Sequence, residues 1–145
     1  MVIHFDQGEG LHREARGSDM WFKALSKDTE GRFSLMERTL PPGGRMPPPH
    51  RHARNDEAYF VLEGVVEFRV AEDVVVGTSG TFVMVEAGEA HTFGNTSDQP
   101  ARLLVLHAPG LDGYFEELAQ LWSALEAPHR DEELALMQRH GMEPA

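Results

Sequence analysis

The residue types best suited to chemistry in this chain are histidines and a glutamate gathered in two short stretches. His50 and His52 stand two positions apart, Glu57 follows five positions later, and His91 lies in a second stretch, residues 80–95. On a β-strand, side chains at i and i+2 point to the same face, so the first two imidazoles can be directed at one point. Three imidazoles and one carboxylate are a ligand set typical of a divalent transition metal such as Fe, Mn, Co, Ni, Cu or Zn.

A site of this composition has room for one or two more ligands, and an open position distinguishes a catalytic metal from a closed structural one. A metal with an open position can act as a Lewis acid, or bring a substrate oxygen together with O₂. Glu57, the only anionic ligand, could also accept a proton from a bound hydroxyl group. The sequence therefore predicts a metal centre of His50, His52, Glu57 and His91, with Glu57 as its catalytic residue.

The residues around these ligands predict a sheet structure. Between residues 20 and 110, short runs of β-branched and aromatic residues alternate with glycines, a pattern typical of a β-sandwich or barrel. Residues 21–26 and 32–40 are predicted to form a hairpin. The proline-rich segment before His50 interrupts the sheet, because proline lacks an N–H group. Residues 1–19 show no clear period and are predicted to be an extended arm.

Alternation along the strands also predicts a pocket. If Glu57 points inward, residues at even spacing on its strand do so too, and the same holds for the strand of His91. The predicted pocket residues are Tyr59, Val61, Val83, Val85 and Phe93. Their apolar wall suits an aromatic or other flat small molecule, although ordinary barrel core is the alternative interpretation of each. His107 could reach the pocket mouth, but a structural role is favoured for it, and His4 and His12 are expected at the surface.

The period changes after Pro109. Apolar residues recur at intervals of three and four over residues 112–126, which predicts an amphipathic helix; they are Tyr114, Phe115, Leu118, Leu121, Trp122 and Leu125. A second helix is predicted from Asp131 to His140, with Gly141 ending it. The aromatic stripe is expected to pack against the barrel rather than to bind a cofactor.

Composition excludes several classes of function. The formal net charge is −11 and no basic run occurs, which argues against binding to nucleic acid or to an anionic membrane. The chain has no cysteine, so disulfides, thiolate ligands and a thiol nucleophile are excluded. The first residues do not have the pattern of a signal peptide, and no apolar run has the roughly 20 residues of a membrane span. A cytoplasmic protein is therefore expected.

The two stretches resemble the two sequence motifs of the cupin superfamily, a small antiparallel barrel that holds a metal inside. The first motif, G(x)5HxH(x)4E(x)6G, is matched at Gly44, His50, His52, Glu57 and Gly64. The second, G(x)5PxGx2Hx3N, is matched at Gly80, Gly88, His91 and Asn95, with Glu86 in place of the motif proline. The departure affects a turn rather than a ligand.

The resemblance implies a single cupin domain over residues 1–145, with an arm at 1–19, a jelly-roll barrel at 20–110 and a helical tail at 111–145. Among cupins, the chain looks most similar to small quercetinase-like proteins, which implies a dioxygenase acting on an enolic or phenolic substrate. A non-catalytic protein that binds a sugar or metabolite through its metal, or an isomerase, stays open. The family also implies a homodimer, with Trp21–Leu25 predicted as an edge strand in the contact.

Overall fold

The computed structural model describes residues 1–44, 46–124 and 127–145. Within these residues the chain is mostly β-sheet with two C-terminal helices, as predicted. The strands are β1 (Leu11–Ala15), β2 (Ser18–Ala24), β3 (Ser34–Leu40), β4 (His50–His52), β5 (Asp56–Glu63), β6 (Val66–Val70), β7 (Asp73–Gly77), β8 (Phe82–Val85), β9 (His91–Gly94), β10 (Ala101–Ala108) and β11 (Met142–Pro144). The helices are α1 (Asp112–Ala124) and α2 (Arg130–Arg139), and a 3₁₀ turn spans Ser26–Asp28.

The strands form two antiparallel sheets. One sheet has the order β1-β2-β3-β10-β5-β8 and the other has the order β11-β4-β9-β6-β7. Consecutive strands β4 and β5 belong to different sheets, so the chain crosses from one sheet to the other between His52 and Glu57. This crossing brings the two halves of the first motif face to face across the interior.

Alternation along the strands builds the core between the sheets. On β5, Glu57, Tyr59 and Val61 are buried, whereas Phe60 between them is exposed. The Tyr59 ring packs against Phe68 and Phe93 of the opposite sheet, with centroids 4.9 and 5.0 Å apart. Offset and tilted aromatic pairs at this distance contribute about 1 kcal/mol each beyond the apolar area they bury. The sheets are therefore held together below the metal ligands by a cluster of rings.

The N-terminal segment corrects the predicted arm. Residues 11–15 form a strand that pairs along its whole length with β2. Arg16 and Gly17, with φ of +55° and +71°, make the tight turn between the two strands, and such turns match the twist of a hairpin. The predicted edge strand at Trp21–Leu25 is also wrong, since β2 lies between β1 and β3. The homodimer stays a prediction, but an edge strand at Trp21–Leu25 no longer supports it.

The C-terminal tail does more than cover the barrel. Helix α1 contacts β1, and its Tyr114, Phe115 and Leu118 are buried as the periodicity predicted. Leu125, also part of that pattern, lies outside the described residues. After α2 the chain returns as β11, which sequence analysis missed, and pairs with β4, the strand of two predicted ligands. Among the described residues, no helix is long and apolar enough to cross a membrane.

Candidate metal centre

Four side chains from three strands converge in the interior. His50 on β4 lies directly opposite His91 on β9 in the strand pairing, and His52 shares the inward face of β4. Glu57 reaches them from β5 of the facing sheet. One ligand atom from each of the four lies within 4.8 Å of the others, and each residue is at most 4 % exposed. The structure thus brings together all four of the predicted ligands.

Hydrogen bonds orient two of the imidazoles. His50 donates from Nδ1 to the Pro48 carbonyl at 2.8 Å, and His91 donates from Nδ1 to the Glu89 carbonyl at 2.9 Å. With Nδ1 protonated, a neutral ring presents the lone pair of Nε2 to the interior, and such backbone contacts commonly orient metal-bound histidines. His52 differs, because its Nδ1 has no hydrogen-bond partner in the described part of the chain.

The contact between His91 and Glu57 indicates that this point attracts a cation. Nε2 of His91 lies 2.9 Å from Oε2 of Glu57, although Nδ1 of the same ring already carries a proton. Two lone pairs would repel at this distance, so the contact needs a proton or a metal ion. Burial lowers the pKa of His91, but the hydrogen bond and charge of Glu57 outweigh burial and raise it overall. A divalent cation can take the place of that proton, so the donor set fits a metal ion.

The remaining ligands favour the protonation states that metal binding needs. Burial, followed by the charge of His91, lowers the pKa of His50 to about 3, so this ring is neutral at pH 7. Burial also lowers the pKa of His52. Burial alone would raise the pKa of the Glu57 carboxyl, but the charge and hydrogen bonds of its histidine neighbours hold it well below the usual range. Glu57 is therefore an ionised carboxylate in a buried site.

His107 belongs to the site, although sequence analysis favoured a structural role for it. It lies opposite Glu57 in the pairing of β10 with β5, and its Nε2 is 3.2 Å from Oε1 of Glu57. Oε2 of the same carboxylate contacts His52 at 2.8 Å as well as His91. Both carboxylate oxygens are thus held by imidazoles. The sequence signal for His107 was the alternation of side chains along β10. Because this strand is apolar on both faces, the sequence did not show how β10 pairs with β5.

A small cavity adjoins three of the four candidate ligands, His50, His52 and Glu57. Its volume is about 20 Å³, room for about one water molecule. Its walls are Arg16, Arg38, Pro47, His50, His52, Glu57, Phe93, His107, Tyr114, Phe115 and Met142. Of the five predicted pocket residues only Phe93 lines it; Tyr59, Val61, Val83 and Val85 are buried in the barrel core. In this conformation the cavity does not hold the flat aromatic ligand that the apolar wall suggested.

The family can now be stated from comparison with known proteins. Residues 36–107 match the family described as Cupin domain. The chain belongs to the cupin superfamily. No curated protein sequence matches it. Among solved structures, this cupin is similar to TT1209 from Thermus thermophilus with 34% identity and a TM-score of 0.52, covering 56% of this chain and 76% of that one.

Two further structures share the fold at lower identity. KdgF from Halomonas sp. is 16% identical with a TM-score of 0.67, and the match covers 78% of this chain and 98% of that one. The polyketide cyclase RemF from Streptomyces resistomycificus is 23% identical with a TM-score of 0.64, covering 74% of this cupin and 80% of RemF. At these identities the likeness concerns the fold alone.

Elements of the second motif support the ligands without binding the metal. The turn at Glu86 forms despite the missing proline, because the Glu89 N–H donates to the Glu86 carbonyl at 3.2 Å. Gly88, with φ of +93°, donates its N–H to the His52 carbonyl at 2.8 Å and ties this turn to the ligand strand. The Asn95 side chain bonds the carbonyls of Leu40 and Gln99 and closes the turn after β9. These residues position His91 rather than act on a ligand.

The opposite side of the cavity is cationic, which sequence analysis did not foresee. Arg38 lies on the inward face of β3 and is 4 % exposed, and Arg16 of the β1–β2 turn is 7 % exposed. Arg16 pairs with the fully buried Glu133 of α2, at 3.4 Å between Nε and Oε1. Arg38 has no such partner among the described residues. The signal in the sequence was its position between Met36 and Leu40 on one face of β3.

Proposed function

We propose that this cupin is a divalent-metal-dependent enzyme that removes a proton from a small enolic or phenolic compound and oxidises the resulting anion with O₂. The observation that carries the proposal is the state of Glu57. It is a buried, ionised carboxylate at the metal position, and its second oxygen faces His107. A metal ligand that is also a base suits substrates whose reaction begins with loss of a proton.

The chain's own residues supply the proton transfer. Glu57 accepts the proton at Oε2, which lies closest to the ligand histidines, while His107 holds Oε1 at 3.2 Å and keeps the carboxylate directed at the cavity. When bound, the metal supplies a Lewis acid that lowers the pKa of a substrate hydroxyl toward neutrality. Phe93, Phe115 and Met142 make the apolar part of the cavity wall and keep bulk water from the anion.

Cavity size bears on the substrate class. Pockets for drug-sized ligands have volumes of roughly 300–1,000 Å³, whereas this cavity has about 20 Å³. An aromatic ring could enter only if a wall side chain moved, and one such side chain is Met142 on the three-residue strand β11. The size favours a small enolic compound over a flavonol-sized phenol.

A second function follows from the same base. If O₂ does not react with the anion, protonation of the enolate at carbon would give the keto tautomer and make the enzyme an isomerase. The pairing of Glu57 with His107 supports this outcome equally, since it concerns only the proton transfer. A binding protein that does no chemistry would use the ionised Glu57 only as a metal ligand.

Oxygen uptake and isotope exchange separate these functions. The Fe-, Mn-, Ni- and Co-loaded protein should be given small 1,3-diketones, catechols and flavonols in an oxygen electrode. In parallel, without O₂, the incorporation of deuterium from D₂O at carbon should be measured against a protein-free control. We expect O₂ uptake with at least one metal and one small enol, and exchange in the same pair. Exchange without O₂ uptake would assign the isomerase, and absence of both would favour the binding protein.

Glu57→Gln is the decisive variant, with His12→Gln as the control at an exposed histidine. Glutamine keeps an oxygen ligand but cannot accept the proton, so we expect most of the metal to stay while turnover falls by about 10²–10⁴-fold, the usual contribution of a general base. Turnover within a few-fold of wild type with the metal retained would remove Glu57 from the chemistry.

A further inference from the structure

Arg38 is a buried cation without an anion to pair with. Its only side-chain hydrogen bond within the described residues runs from Nε to the Ser18 hydroxyl at 3.1 Å. Its guanidinium also lies over the Phe93 ring, 5.6 Å from the centroid. No ion pair to a carboxylate is formed by Arg38 in the described part of the chain. The outer nitrogens of the guanidinium therefore have donors free beside the cavity that Arg38 lines.

Nearby acidic groups are committed elsewhere. Glu133 is taken up by Arg16 and by the Trp122 indole N–H at 2.6 Å. Glu37, the neighbour of Arg38 on β3, points to the other face and pairs with Lys23 at 3.1 Å. Within the described residues, Glu57 is the one carboxylate that lines the cavity together with Arg38, and it is a predicted metal ligand. Once Glu57 serves a divalent cation, the cavity holds more positive charge than the protein neutralises.

Such an arrangement is unfavourable unless a ligand compensates it. Burial and the positive charge of Arg16 lower the pKa of Arg38 to about 10, so the guanidinium is destabilised by its surroundings yet still protonated at pH 7. A buried charge without a partner is costly to a fold. Guanidinium groups bind planar oxyanions through two parallel N–H donors, a geometry that suits a carboxylate.

From this geometry we infer that the ligand of the site is a small carboxylate, whose anionic group is bound by Arg38 in the cavity that His50, His52 and Glu57 also line. The inference rests on the proposed function only in that it uses the same cavity. It makes Arg38 the residue that determines specificity. In this conformation the cavity holds about one water molecule, so a compact acid enters with a small movement of the walls and a larger anion would need a larger one.

The experiment measures binding rather than turnover. The Zn²⁺-loaded protein is titrated by calorimetry without O₂, using acetate, glycolate and pyruvate against the uncharged acetamide, glycolamide and pyruvamide, with inorganic phosphate as a further probe. We expect each acid to bind at least about tenfold more tightly than its amide, as hydrogen bonds between charged groups imply. Equal binding of acids and amides, or tighter binding of phosphate than of every carboxylate, would overturn the inference.

Variants locate the preference at Arg38. Arg38→Met keeps the length of the side chain without its charge, and Arg69→Met makes the same change at an exposed arginine. Arg38→Met should lose the preference for acids and bind Zn²⁺ at least as tightly as wild type, because a neighbouring positive charge has been removed. Arg69→Met should keep the preference. A folded Arg38→Met protein with unchanged preference, or with weakened Zn²⁺ binding, would contradict the assignment.

Two safeguards make the result decisive. If Arg38→Met does not fold, Arg38→Lys keeps the charge but not the paired donors, and it should reduce the preference by about tenfold or less; no reduction would count against the inference. The wild-type comparison of acids with amides needs no variant. An acid preference without O₂ uptake in any metal form would reject the proposed oxidation and retain this inference. O₂ uptake on uncharged enols without an acid preference would reject this inference and retain the proposed oxidation.

Discussion

The two ends of the cavity are built on opposite plans. At the metal end, both oxygens of Glu57 are held by imidazoles and two candidate ligand rings are fixed by backbone carbonyls. At the arginine end, Arg38 keeps unpaired donors beside the cavity, and Arg16 is held by Glu133 from the C-terminal tail. The metal end suits a reaction that could act on many ligands. The arginine end suits the selection of one kind of ligand.

Charge explains the difference. The metal end concentrates an anion and neutral lone pairs, which a cation can neutralise inside the protein. The arginine end keeps a cation that nothing in the described chain neutralises, and buried charges of this kind usually mark a place where a partner binds. Variants at each end should therefore affect different properties of this cupin.

The largest effect is expected at the metal end. His91→Ala removes a ligand and the cross-strand neighbour of His50, so metal affinity should fall by more than about 100-fold, beyond the usual loss for a residue that only supports a ligand. The barrel should still fold, because its core consists of other residues. Metal content after dialysis and far-ultraviolet circular dichroism test this, with His12→Ala as the surface control. Full metal content in His91→Ala would disprove the ligand assignment.

At the arginine end, the largest effect should be on stability. Arg16→Met leaves the fully buried Glu133 without its cation, and breaking a buried pair in this way costs about 3–5 kcal/mol. Arg13→Met is the matched control, since the Arg13–Glu116 pair is partly exposed and such pairs contribute less than about 1 kcal/mol. Urea unfolding of the metal-free proteins measures both. Equal losses of unfolding free energy in Arg16→Met and Arg13→Met would mean that the buried Arg16–Glu133 pair stabilises the fold no more than the partly exposed pair does.

In the metal-free protein, low pH should reduce the stability that the metal end contributes. The pKa of His50 is lowered to about 3 in the folded protein, so below its unfolded pKa near 6.5 the unfolded chain binds a proton that the folded chain does not. Stability from the neutral ring is present above about pH 6.5 and is lost as pH falls toward 3. The raised pKa of His91 acts in the opposite sense, so the variant His50→Gln is needed to isolate the effect.

Chemical unfolding of chelator-treated protein at pH 7 and pH 5 provides that comparison. Between pH 7 and pH 5, the free energy of unfolding of wild type should fall by about 2 kcal/mol more than that of His50→Gln, as a depressed histidine pKa implies. The same difference at both pH values would show that His50 is not held neutral by the fold.

The smallest expected effect belongs to His107, which acts through Glu57. His107→Gln keeps a donor near Oε1 but changes its position, so we expect the metal content to be unchanged and turnover to fall by about tenfold, as for other supporting residues of metal sites. The pH–rate profile should move as well, because the neighbours of Glu57 determine its pKa. His4→Gln at the surface is the control. An unchanged profile together with unchanged turnover would return His107 to the structural role first favoured for it.

Much of this molecule could be predicted from its sequence, because the informative contacts are local. The spacing of His50 and His52 on one strand, glycines at turns, and the helical period after Pro109 predicted the ligands, the barrel and the tail. Gly64 illustrates why such positions can be recognised: its φ is +79°, in the left-handed region that favours glycine. The physical reason for each signal lies within a few residues of it.

The rest depended on contacts between elements far apart in the chain. His107 meets Glu57 only through the register of β10 on β5, and Arg16 is held by Glu133, which lies 117 residues later. The return of β11 to the ligand strand carried no sequence signal, since Met142–Pro144 is too short for a period. Strand alternation predicts which face a side chain occupies, but not which residue faces it. The sequence by itself therefore determined the four residues of the candidate metal site. The tertiary structure decided the size of the cavity, the contact of His107 with Glu57 and the cationic part of the cavity wall.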